Sequence, residues 1–261
     1  MMASPLIILM ANAIFFGALS AMMIMIAVSV DAWQSYTFDQ TVLKSLNESL
    51  DTYTILQLSN TTPIYKVLVQ TNPQSNVTED YYLHGSYTGL WRLCDDMSDY
   101  DRSMIPESHR FNPTKCFTFV TDYNEDSGVF TKPAMQIARL QNSAASCYIV
   151  VLIDLVTAGV VGLIGLSQKQ VASCMVTGVL YCMAALFGVF GLSMFHTKNY
   201  YETFQCYAMD KIPEPLCPAR HVDVLWAIPL AWLGVVFCVI ACILWLIVAR
   251  ALRVIKAKTM L

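Results

Sequence analysis

Four apolar stretches, each long enough to cross a bilayer as a helix, constrain this chain more than any other feature. Residues 5–30 carry no charge, residues 143–166 carry only Asp154, residues 171–195 carry none, and the fourth stretch covers 222–249. A hydrocarbon core of about 30 Å takes about 20 apolar residues in helical form. A water-exposed helix of that length keeps a polar face, and these stretches have none. They read as four transmembrane helices. The first lacks a basic n-region, and its apolar run exceeds the roughly 7–15 residues of a signal-peptide core, so it reads as a retained span. Charged residues make up 13% of the chain, against roughly 25% in soluble domains. The net charge of −3 says little by itself.

Short basic connections set the orientation. The link at 167–170 contains Lys169, and the tail at 250–261 holds Arg250, Arg253, Lys256 and Lys258 with no acid. Both belong in the cytosol by the positive-inside rule, and the neutral segment 1–4 joins them. The loops at 31–142 and 196–221 then face outside, as expected of a multi-pass plasma-membrane protein. The N-x-S/T sequons at Asn47, Asn60 and Asn76 all fall in the first of these loops, where glycan transfer takes place.

Four of the nine cysteines fall in the same two loops: Cys94 and Cys116 in the first, Cys206 and Cys217 in the second. Shared loops suggest the pairs Cys94–Cys116 and Cys206–Cys217, although four cysteines allow three connectivities. Closures of this size contribute about 3 kcal/mol each in the chain-entropy account. Neither a C-x-x-C nor a paired-histidine spacing is present, so no metal is expected. Within the first loop, residues 36–82 read as a hydrophilic insertion with some strand, for example Ile64–Val69. Tyr87–Leu93 and Lys115–Thr121 read as two further strands from their β-branched and aromatic content. The acidic run Asp95–Asp101 between them reads as a solvated loop, and it lacks the glycine and terminal glutamate of an EF-hand.

Gly89-Leu90-Trp91-Arg92-Leu93-Cys94, followed by Cys116 and preceded by Trp33, resembles the outer-loop signature of the claudin superfamily. That group includes claudins, peripheral myelin proteins and stargazin-like auxiliary subunits. Gln136-Ile137-Ala138-Arg139-Leu140 is similar to the L-Q-A-A-R stretch that enters the family's second helix. The long first loop and wide cysteine spacing look most like the claudin-domain-containing proteins, so claudin pore-selectivity positions do not carry over. The resemblance implies a membrane all-α four-helix bundle with a small extracellular antiparallel β-sheet, and Trp91 near the membrane surface.

Asp154 sits mid-span, where a charge costs about 2.5–3.5 kcal/mol on insertion scales. It is expected to face the bundle, with Ser20 at similar depth as its partner. Gly159, Gly162 and Gly165 read as a small face for close helix packing. At the other extreme, Thr259 and Leu261 form a class I PDZ-ligand pattern, recognised by strand addition; the competing reading is a basic, lipid-facing tail.

No phosphate loop, H-E-x-x-H, G-x-S-x-G or paired intramembrane carboxylates occur, so neither enzyme activity nor a cofactor is expected. The resemblance implies a non-enzymatic organiser of cell-surface or cell-junction contacts, or else an auxiliary subunit of an ion channel or receptor. The expected partners are membrane lipids, other membrane proteins in cis or trans, a PDZ scaffold and further copies of the chain. Nucleic acid is not among them.

Overall fold

The computed structural model describes residues 5–49, 53–59, 63–70, 78–107, 115–119, 131–210 and 212–259. Among them are four helices long and apolar enough to cross a membrane. These are α1 (Pro5–Ser29), α4 (Lys132–Ser167), α5 (Val171–Phe204) and α6 (Ala227–Thr259). α1 opens on Pro5, whose missing N–H would have had no helical acceptor at that position. Pro229 falls in the first turn of α6, where it too forgoes no internal hydrogen bond. At 36 residues, α4 is about 54 Å long, well beyond a hydrocarbon core. It begins at Lys132, ahead of the apolar run at 143, because polar residues such as Gln136 and Arg139 head its first three turns.

The chain divides into two compact units. The first holds residues 1–30, 143–194 and 226–261, and its helices meet where one side lacks a side chain. Gly234 of α6 receives Ile24 of α1, Gly188 of α5 receives Val235 of α6, and Gly191 of α5 receives the ring of Tyr148 on α4. Gly17 of α1 lies against the Tyr181 hydroxyl of α5, so a methyl there would collide with it. Gly162 and Gly165 of α4 are packed in the same way, against Trp245 and Ser173. Gly159 departs from the expected small face: it is exposed, and a side chain there would meet nothing within 4 Å. Between α4 and α5, Gln170 N donates to Gly165 O at 2.8 Å and Lys169 takes φ 49°. This left-handed stop turns the chain within a few residues.

The second unit, residues 31–142 and 195–225, contains two antiparallel sheets. The larger joins β7 (Cys116–Thr118), β6 (Arg92–Asp95), β5 (Ser86–Thr88), β1 (Gln34–Phe38) and β8 (Arg220–Val224) in that order. β1 and β8 come from different loops of the chain, yet they pair over five residues, from Gln34↔Val224 to Phe38↔Arg220. The smaller sheet orders β2 (Tyr53–Gln57), β3 (Tyr65–Gln70) and β4 (Thr78–Leu83), and lies within the hydrophilic segment. The strand expected near Ile64–Val69 is β3, the middle strand of this sheet. Its alternation works as expected for a half-buried sheet: Tyr65, Val67 and Leu83 point to one side and bury with Leu43 of the amphipathic helix α2 (Gln40–Ser49), Leu216 and Ala219.

Two further expectations are corrected here. Tyr87–Leu93 is not one strand but the hairpin β5–β6, reversed at Gly89-Leu90-Trp91, where Gly89 N donates to Arg92 O at 2.9 Å. The acidic run is not simply solvated. It folds into the short helix α3 (Asp99–Ser103), whose N-cap Ser98 accepts from Asp101 N; Asp101 is 2% exposed, and Arg102 pairs with Asp95 at 2.7 Å.

Candidate functional site

The G-L-W sequence owes its position to its backbone. Gly89 O and Leu90 O both accept from Gln141 Nε2, at 2.9 and 2.7 Å, so the reversal between β5 and β6 is tied to the polar start of α4. Leu90 is fully buried, while Trp91 is half-buried and its carbonyl accepts from Phe119 N. Trp33 is also fully buried. Its ring meets Phe195 edge-to-face at 5.0 Å, and its backbone bridges Thr88 and Leu225. Arg92 reaches across to Asp31 in a two-nitrogen ion pair, both contacts at 2.6 Å. Arg139, the last motif residue, is exposed on α4.

Cys94 and Cys116 are bonded and stand directly opposite each other on β6 and β7, with Cα atoms 4.1 Å apart. Asp95 N donates to Lys115 O and Phe119 N to Trp91 O, which leaves the cysteine pair at a position without ladder hydrogen bonds. Such positions bring opposing side chains closest. Cys206 and Cys217 are bonded as well. Cys206 has φ 53° just past α5, and Cys217 lies in the 3₁₀ turn Glu214–Ala219 that leads into β8.

Beneath β1 lies a buried polar core that the sequence reading did not anticipate. Lys198, 1% exposed, donates to Gln34 Oε1 at 3.0 Å and Tyr36 Oη at 3.3 Å, and pairs with Glu202 at 3.6 Å. Tyr36 in turn donates to Glu202 Oε1 at 2.9 Å, and Gln34 Nε2 donates to Asn199 Oδ1 at 2.8 Å. Arg220 lies over the Tyr36 ring at 4.9 Å and donates to Tyr207 O. Burial above all, then the Glu202 charge, raises the Tyr36 phenol well above its usual range, so it stays a neutral donor. A cavity of about 30 Å³, room for a water, borders this core and is also lined by His84 and Asp210. Burial raises the Asp210 carboxyl against the opposing pull of His84 and Arg220, and burial likewise raises Asp95 despite His84 and Arg102.

Chemically, this arrangement fixes shape. Its charges oppose one another inside the unit, and its hydrogen bonds join residues far apart in sequence. The clue available in the sequence was Lys198 and Glu202, an i,i+4 pair just past the third apolar run; Gln141 just before the second run is the parallel case.

The remaining candidates lie apart. Asn47 is exposed on α2, with its Oδ1 accepting from Ile55 N at 2.8 Å. Asn60, Asn76 and Leu261 lie outside the described residues, as does the side chain of Thr259. Asp154 is half-buried on α4, and the Ser20 hydroxyl expected to meet it donates instead to Gly17 O at 2.9 Å.

The protein-family model described as PMP-22/EMP/MP20/Claudin tight junction matches residues 18–247. No curated protein matches the chain individually. The family match takes in Trp33, the Gly89-Leu90-Trp91 turn, the Cys94–Cys116 pair, residues 136–140 and parts of all four long helices, the features on which the resemblance rests. Four membrane-capable helices, a small antiparallel sheet and a match across most of its length place this chain in the PMP-22/EMP/MP20/Claudin family.

Proposed function

We propose that this protein is a non-enzymatic organiser of cell-surface or cell-junction contacts at the plasma membrane, with both termini in the cytosol. The observation that carries the reading is the joining of β1 and β8. By it, both loops assigned to the outside form one folded unit, which can present a single fixed surface. Two disulfides and a buried ion pair hold that unit in shape, as suits contacts made outside the cell. The family supports a structural membrane role.

The test is expression in cells that lack junctions of their own. The tagged chain should concentrate where two expressing cells touch and stay uniform where an expressing cell meets a non-expressing one. Cys94→Ser should abolish the enrichment. Uniform distribution at every contact would overturn the reading in favour of the auxiliary-subunit role.

A further inference from the structure

Asp154 lies near the centre of an apolar span, and its Oδ2 is buried without a hydrogen-bond partner among the described residues. It is half-buried and sits on the shoulder of α4, where the buried side (Val151, Leu155, Ala158) gives way to an exposed apolar side (Ile153, Val156, Val160). Val150, Asp154, Thr157, Val161 and Ile164 recur at alternating four- and three-residue spacing along that shoulder, each half-buried or exposed. Such a row is the seam that a neighbouring helix packs into at a small crossing angle. Ser20 is engaged elsewhere. No Lys, Arg or His occurs in 5–29, 143–166, 171–195 or 227–249, so neither this chain nor a second copy can bring a cation to Asp154 at that depth.

We infer that Asp154 and its seam on α4 form a lateral docking site for a transmembrane helix of another membrane protein that carries Lys or Arg at mid-span. Charge complementarity selects that occupant. An acid in hydrocarbon is most favourably answered by a base at the same depth, and the flanking valines and isoleucine supply the packing. The site works within one membrane and is independent of contacts between cells.

The test uses the full chain in a membrane with a single-span polyleucine helix carrying one central lysine, or leucine in its place. Energy transfer between labelled chain and labelled helix is the readout. The lysine helix should give transfer several-fold above the leucine helix. Asp154→Asn and Asp154→Leu should reduce it to the leucine level, and Asp154→Glu should retain it. The wild-type comparison needs no variant, and thiol labelling of Cys94 and Cys116 checks that each variant has a folded ectodomain. Equal transfer from both helices, or a lysine preference that survives Asp154→Leu, would overturn the proposal. So would Asp154-dependent transfer between two copies of the chain without any probe helix, since the second copy would then cover the seam.

Discussion

Lys198 answers Glu202 inside the β1 core, and each is nearly inaccessible to solvent. Removing one member of such a pair leaves the other charge buried, which costs about 3–5 kcal/mol. Lys198→Met should therefore destabilise the ectodomain by that amount, and adding Glu202→Leu should recover much of the loss. Pulse proteolysis of the purified full chain measures both. Asp95 and Asp210 act in the opposite sense to a stabilising carboxylate. Burial raises both, so the folded state holds their protons more tightly than the unfolded state does. Their protonated forms favour folding, and stability is lost as pH rises through the folded values. The ectodomain should resist proteolysis better in mild acid than at neutral pH, and Asp210→Asn should flatten that slope. At this scale the sequence spoke unevenly. Cysteines and the G-L-W run were visible because their types are rare and specific. Lys198 was marked locally only by Glu202 four residues on, a spacing common on solvated helices, since its other partners Gln34 and Tyr36 stand more than 160 residues away.

The hairpin β5–β6 depends on a side chain from another element. Gln141→Leu would strip Leu90 O of its side-chain donor and leave Gly89 O only its bond from Thr88 Oγ1, while keeping the bulk; a buried unsatisfied acceptor costs about 1–3 kcal/mol. Loss of ectodomain stability in that range, with Gln141→Glu no better, would match the observed geometry. The staple between β6 and β7 makes a parallel case. Cys94→Ser should expose Cys116 to thiol reagents and destabilise the unit by about 3 kcal/mol, with retention in the secretory pathway as the cellular readout. Elements were legible in proportion to length. Long apolar helices declare themselves by composition, while β5 and β7 span three residues each, too few for alternation to register. The polar first turns of α4 escaped for a related reason: a helix leaving hydrocarbon loses the signal that identified it, though its backbone continues.

For the molecule as a whole, sidedness is the prediction with the widest reach. If residues 31–142 lie outside, glycosidase treatment should reduce the apparent mass of the chain from animal cells, and a combined Asn47→Gln, Asn60→Gln, Asn76→Gln variant should show no shift. Asn47 suits modification in the folded protein, because its Oδ1 is engaged with Ile55 N while the side chain stays exposed. The pairing of β1 with β8 also has a bearing on synthesis. Residues 34–38 leave the ribosome early; residues 220–224 follow only after three hydrophobic helices have been made. Until then β1 has an open edge in the secretory lumen, with Cys94 and Cys116 able to bond but with the sheet unfinished. Nascent chains halted before Arg220 should stay bound to lumenal chaperones, whereas chains halted after Leu225 should be released. On that account, arrival of β8 beside β1 marks the point at which the outer unit is complete.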